Sequence, residues 1–424
     1  MPIEQAVSLT MKYYLLLFFT ALVCVASEIV DNYKSYKDYK YYEVHGTQHG
    51  IKRLTEALKK NDASLVYSSS KDVAEFVIAP SLVSFFMKIV TEENLMYNIL
   101  YEDISNIIQL ERSILPGKGD FSWTSYYDID DINDYLTNMS KTYPSWSELI
   151  AGGQSYQGRT ILGLRINTSQ RNAPKPVVFI ESGIHAREWI APATTTYFIN
   201  ELLTSNDSNI THIRDQFDWR IFPSCNPDGY HHSYTVDRFW RKTLSKSSNR
   251  CIGADPNRNW DYNWGQESSS DDPCDYQIYA GTKPFSEIET RSLSSYIKGI
   301  DNLLAYISLH SNAEILLVPY SDSNQHIDNY DDLVKIGNVS LDYGHEKSKQ
   351  KRYRGPATAA EILYKASGGS MDWVRSVLNV PLVYTYELRG RLFYWSPEKI
   401  PEQGDEVTQM LLGLMTEACK FGYC

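Results

Sequence analysis

The stretch Val177-Val-Phe-Ile-Glu-Ser-Gly-Ile-His-Ala-Arg-Glu-Trp189 decides how the rest of the chain is read. Val177 to Glu181 is a short apolar, β-prone run, Gly183 marks a turn, and Trp189 to Leu203 follows a helical pattern, so the stretch is a strand, a loop and the start of a helix. Loops of this kind are where α/β sheets place ligands. Within the loop, His185 and Glu188 stand three positions apart. Far downstream His310 closes a second β-prone run, Leu303 to Leu309, and Glu387 closes a third, Leu382 to Tyr386. Two imidazoles and one carboxylate fill three positions of a tetrahedral zinc ion and leave the fourth for water, the donor set of a catalytic site. His-x-x-Glu by itself is a weak motif, and a lone histidine is more often packed or solvated than ligating. Four chemistry-bearing residues at the ends of three predicted strands raise the set above that background.

Outward from this core, the 424 residues carry the composition of a folded globular protein. The 52 acidic and 41 basic residues give a net charge of -11, which offers no electrostatic footprint for nucleic acid or an anionic membrane. Tyr13 to Val25 is apolar but short for a bilayer span, follows Lys12 and ends in Ala26 and Ser27, the pattern of a secretory signal over residues 1–27, with Met11 a candidate start. A secreted, extracellular protein is expected. Secretion permits disulfides: Cys251 with Cys274 would staple a polar loop, Cys419 with Cys424 could close a short C-terminal one, and Cys225 would stay a buried free thiol. Sequons at Asn138, Asn167, Asn206, Asn209 and Asn338 agree with that route.

Residues 28–112 read as βαββαβ: strands over 39–44, 64–67, 73–78 and 97–101, and helices over 48–60 and 81–91. Ile51, Leu54 and Leu58 recur at helical spacing, as do Leu82, Phe85, Phe86 and Val90, so a ferredoxin-like module is the simplest fold. A helical run, Ile104 to Leu110, and the Pro- and Gly-rich linker after Arg112 follow, inviting proteolysis. In residues 113–424 the three runs named above and Trp219 to Pro223 alternate with helical segments, which predicts a mixed α/β sheet with helices on both faces. A monomer is expected.

Seven blocks in order resemble a known family: Ser182-Gly-Ile-His-Ala-Arg-Glu-Trp189, Asn226-Pro-Asp-Gly229, Phe239-Trp-Arg-Lys-Thr243, Asp255-Pro-Asn-Arg-Asn-Trp260, Leu309-His-Ser311, Ala366-Ser-Gly-Gly-Ser370 and Thr385-Tyr-Glu-Leu-Arg389. They are similar to the motifs of the secreted zinc metallocarboxypeptidases of the pancreatic A/B type, and residues 28–112 are similar to that family's activation segment. The resemblance implies one zinc ion on His185, Glu188 and His310, Asp255 orienting His185, Glu387 as general base, and Arg241 stabilising the oxyanion. It also implies Arg258, Asn257 and Tyr364 gripping the terminal carboxylate of a peptide or protein substrate, and Arg187 touching the substrate further from its end. It implies an activating protease cutting near Arg112 of a zymogen.

Met371 stands where B-type members, which remove Lys or Arg, carry an acidic residue; with Ala359, Leu317 and Ser321 it predicts a neutral pocket for apolar or aromatic ends. Asp322 and Glu361 would alter that pocket if either turned inward. Asn312 replaces the family's usual tyrosine, and Glu387 to Pro397 is two residues shorter than usual. The alternatives are a B-type enzyme, or a binding protein on the same fold that has lost turnover.

Overall fold

The computed structural model describes residues 33–58, 64–68, 72–113, 121–168 and 174–424. The expected signal segment and the linker after Ser113 lie outside these residues.

The central strand β7 (Val177–Ser182) is buried on both faces along its whole length, which is why its sequence is a continuous apolar run rather than an alternating one. The period of two persists underneath: Val178 and Ile180 join one core, and Val177 and Phe179 join the other. Around it an eight-stranded sheet runs β11-β10-β12-β9-β7-β8-β6-β5. Its other members are β5 (Ser147–Gln154), β6 (Thr160–Ile166), β8 (Asp218–Phe222), β9 (Leu303–Ser311), β10 (Ile315–Val318), β11 (Arg354–Thr358) and β12 (Leu382–Leu388). Strands β8, β7, β9 and β12 are parallel, while β6 and β10 pair antiparallel to β8 and β12, so the sheet is mixed as expected. Helices α4 (Ile129–Thr142), α5 (Ile190–Thr204), α9 (Tyr330–Ser348) and α12 (Ile400–Lys420) contribute to one core, and α8 (Ile288–Lys298) and α11 (Ser370–Leu378) to the other.

The peripheral strands β5, β6, β10 and β11 were not singled out by the sequence. β5 alternates irregularly between exposed and buried positions, and β10 is only four residues long, so neither leaves a clear periodic signal.

The N-terminal part is the βαββαβ module expected: β1 (Lys40–His45), α1 (Gln48–Leu58), β2 (Ser64–Ser68), β3 (Val73–Ile78), α2 (Val83–Glu92) and β4 (Met96–Tyr101), with sheet order β2-β3-β1-β4. It has its own core, with Leu54, Leu58, Phe76 and Phe86 fully buried. Phe85, expected on the apolar face of α2, is instead 43% exposed, because Phe86, Ile89 and Val90 form the inward stripe. Helix α3 (Ser105–Ser113) leads out of the module, and its Glu111 meets Arg238 in a buried pair, Nη2 to Oε1 at 2.9 Å. Cys251 and Cys274 are bonded, as are Cys419 and Cys424, and Cys225 is a buried free thiol. Among the described residues no helix is long and apolar enough to cross a membrane.

Candidate active site

Three parallel strands end together, and each delivers a functional side chain at its C-terminal end. The loop after β7 turns at Gly183, whose φ is +63° and where a Cβ would come within 3.0 Å of the Pro223 carbonyl oxygen, so the position excludes a larger residue. That turn sets His185 and Glu188 ahead of α5. His310 and Glu387 are register partners on β9 and β12.

The two imidazoles and the carboxylate converge as the sequence implied. His185 Nδ1 lies 2.8 Å from Glu188 Oε1; His310 Nδ1 lies 3.1 Å from Glu188 Oε2 and 3.1 Å from His185 Nδ1. All three residues are buried. Burial opposes charge on each, yet the facing histidines hold the Glu188 carboxyl far below the usual carboxylate range, and Glu188 raises His310. Burial and the nearby Arg241 charge depress His185. A buried carboxylate faced by two imidazole ring nitrogens is a donor set that fits zinc.

Asp255 organises the cluster from behind. It accepts from His185 Nε2 at 3.2 Å, and its other oxygen receives Arg241 Nη2 at 2.8 Å and Nε at 3.1 Å. Burial opposes its charge, but Arg241 and His185 together hold it well below the carboxylate range. The sequence had paired Asp255 with His185 but missed its grip on Arg241, for which no motif spacing gives a signal. Burial pushes the Glu387 carboxyl up, with Glu188 adding to the effect and His310 and Arg241 opposing it. Such a group is close to the balance between proton donor and acceptor.

Arg258 is buried, and its Nε and Nη1 donate to the Ser268 and Asn257 carbonyls, both at 2.9 Å, which fixes the guanidinium plane. Among the described residues its Nη2 has no hydrogen-bond partner. The Asn257 side-chain oxygen receives Ser370 N at 3.0 Å. Tyr364 is 43% exposed on the loop before Gly369, with its phenol near enough to influence the Arg241 charge. Arg187 is buried, its guanidinium 4.3 Å from the centre of the Phe393 ring, so in this state it is covered rather than open to a ligand.

Met371 is only 5% exposed and shares a core with Leu317 and Ala359, while Thr385, two positions before Glu387, donates its hydroxyl to the Met371 sulfur at 3.4 Å. Of the two acidic neighbours flagged in the sequence, Glu361 turns away to His326, Tyr330 and the Thr358 amide. Asp322 engages Asn263 through one oxygen, and its other oxygen is buried without a partner. A third acid was not anticipated: Asp372, fully buried beside Met371, accepts from the Ser321 amide, and burial pushes it up to about 8.

Comparison with known proteins agrees with this geometry. Residues 132–410 match the model of the zinc carboxypeptidase family. The chain is 34% identical over 404 residues to zinc carboxypeptidase A 1 of Anopheles gambiae, covering 92% of this chain and 91% of that one. It is 38% identical to carboxypeptidase B of Astacus astacus over 290 residues, 67% of this chain and 94% of that one. The crystal structure of carboxypeptidase A from Helicoverpa armigera superposes with a TM-score of 0.81 at 26% identity, covering 91% of this chain and 99% of that one. The chain belongs to the zinc carboxypeptidase family, metal-dependent hydrolases that act as exopeptidases.

Proposed function

We propose that this zinc carboxypeptidase releases single apolar or aromatic residues from peptide C-termini, and that it is secreted as a zymogen. The observation that carries the reading is the convergence of the His185–Glu188–His310 cluster with Glu387, Arg241 and a plane-fixed Arg258 at the C-terminal ends of the inner parallel strands. His185, Glu188 and His310 would hold the zinc, which supplies Lewis acidity for attack on the scissile carbonyl. Glu387 takes a proton from the attacking water and delivers it to the leaving amine. Arg241, held by Asp255, faces the oxygen on which negative charge develops, a contribution of roughly 10²–10³ in rate for one donor. Arg258 forks onto the terminal carboxylate, with Asn257 and Tyr364 beside it, so only a free chain end is gripped.

Support for apolar specificity comes from Met371, Leu317 and Ala359 in one apolar cluster, and from Asp372, whose raised pKa keeps it largely uncharged at neutral pH. The observation favouring basic ends is the buried, unpartnered oxygen of Asp322. A panel of blocked dipeptides differing only in the last residue decides. Cleavage of a Phe end far faster than an Arg end supports the A-type reading, and equal or reversed rates refute it.

The zymogen reading rests on the N-terminal module's seat: Tyr36, Tyr41, Val77, Ile104 and Ile108 cluster with Phe239, Leu392 and Phe393. Arg112, the proposed cleavage residue, donates to the Tyr234 carbonyl at 2.9 Å and lies 4.1 Å from the Tyr33 ring centre. Higher activity after a cut near Arg112 supports this; full activity of the uncut chain on long peptides refutes it. Two disulfides and exposed sequon residues Asn138, Asn206 and Asn209 are compatible with secretion. The Asn338 side chain instead accepts from Arg352 at 2.7 Å.

A further inference from the structure

We propose that Asn312 is a positioning residue that holds the Leu392–Phe393 turn as an apolar wall for substrate residues upstream of the cleaved bond. In the uncut chain the N-terminal module occupies the same wall. The proposal rests on the exopeptidase reading and adds the residue that shapes this part of the cleft.

The two departures noted in the sequence, Asn312 and the short segment after Glu387, meet in space. Arg391 N donates to Tyr394 O at 3.2 Å and Tyr394 N returns to Arg391 O at 3.0 Å, leaving Leu392 and Phe393 as a two-residue turn. Both central residues have positive φ, 54° and 56°. Turns of this kind ordinarily carry Asn or Gly at those positions, because L side chains disfavour the left-handed region. With its side-chain oxygen toward the turn, Asn312 accepts from Leu392 N at 3.0 Å and from Phe393 N at 3.2 Å. One side chain thus satisfies both amides of a disfavoured turn. Gly390 packs against Asn312 from the other side, where a Cβ would stand 3.8 Å from the Asn312 Cβ.

The turn borders the candidate active site. Only Leu388, Arg389, Gly390 and Arg391 separate it from Glu387, and Asn312 is two residues after His310. The Phe393 ring lies against Arg187, which stands between His185 and Glu188, and Arg238 Nη2 donates to the Phe393 carbonyl at 2.8 Å. With the terminal carboxylate held by Arg258 and the scissile bond at the His185–Glu188–His310 cluster, the upstream residues would extend past that cluster, where Arg187 and the Phe393 ring against it offer the wall. Leu392 and Phe393 are 2% and 5% exposed within the cluster that includes Tyr36, Tyr41 and Ile104 of the N-terminal part. Arg391 pairs with Glu43 at 2.6 Å and with Glu75 at 3.0 Å. Departure of the module therefore uncovers two apolar side chains beside the site.

The test uses the full chain, cut near Arg112 after folding, and two blocked peptides with the same terminal Phe and either Leu or Gly at the two upstream positions. The wild type should prefer the Leu peptide. Asn312→Ala and Phe393→Ala should each reduce that preference roughly 10-fold, through KM, and Asn312→Asp, which keeps the acceptor, should restore most of it. Amide exchange at Leu392 and Phe393 should be slow in the wild type and fast in Asn312→Ala, in the uncut as well as the cut chain. An unchanged Leu preference, an equal loss on both peptides, or unchanged amide protection in Asn312→Ala would overturn the proposal. If the wild type cleaves neither peptide, the exopeptidase reading fails, while exchange still decides whether Asn312 holds the turn.

Discussion

Replacing Asp255 probes how far the site depends on one carboxylate behind it. Its side chain is fully buried and accepts from His185 Nε2, from two nitrogens of Arg241 and from the Asn257 amide at 2.9 Å. Arg241 is itself only 9% exposed, so Asp255→Ala leaves a buried guanidinium with its main anion removed. Breaking such a pair from one side costs about 3–5 kcal/mol, a large part of the ~5–15 kcal/mol that stabilises a typical domain. Asp255→Asn keeps the volume and an acceptor but loses the charge. It should cost less stability, weaken metal binding by about 10–100-fold through His185, and lower kcat through Arg241. Urea unfolding of both variants, with zinc competed by a calibrated chelator, reads the two effects separately. If Asp255→Ala unfolds within about 0.5 kcal/mol of the wild type, the usual scatter for an uninvolved surface change, and holds zinc as tightly, the organising role assigned to Asp255 is wrong.

Arg258→Lys replaces a fixed planar fork with a point charge; KM for peptide substrates should rise by about 10-fold or more with kcat less affected, and an unchanged KM would remove Arg258 from the carboxylate clamp. Asp372 has a folded pKa raised to about 8, so between the ordinary carboxylate range and about 8 the folded state binds more protons than the unfolded one and stability falls as pH rises. Asp372→Asn should flatten the decline in Tm between about pH 5 and 8; an unaltered slope would show that Asp372 ionises normally. The Cys225 thiol, buried and pushed well above its ordinary pKa, should resist alkylation in the native protein and react only on unfolding; rapid native labelling would contradict its burial.

The parts of this molecule that sequence makes legible are those where chemistry and periodicity coincide. β7, β9 and β12 are continuous apolar runs because both faces are covered; β9 and β12 carry His310 and Glu387 one residue before their ends, and β7 leads into the loop of His185 and Glu188, so the strand ends and the candidate ligands could be read together. The N-terminal module was legible from helical spacing, although on α2 Phe86 faces the core and the adjacent Phe85 does not. What stayed hidden are contacts between segments distant in sequence. Asp255 reaches Arg241 across a loop, Asp372 holds the Ser321 amide, and Asn312 caps a turn some 80 residues later, as the sequence numbering shows. None of these leaves a local periodicity, because each depends on where the fold carries a loop rather than on what the loop contains. The short segment after Glu387 was visible as a departure, but its consequence was not, since nothing local says that Leu392 and Phe393 take left-handed conformations.

The central claim is that Glu387 performs the proton transfers at a zinc site held by His185, Glu188 and His310. The most direct measurement is zinc content together with turnover of Glu387→Gln, a substitution that keeps the shape of the side chain and removes its basicity. The account predicts about one zinc per chain, as in the wild type, with kcat on a blocked Phe-terminated dipeptide reduced by at least the roughly 10²–10⁴-fold that a general base contributes. Near-normal turnover with zinc bound would contradict it.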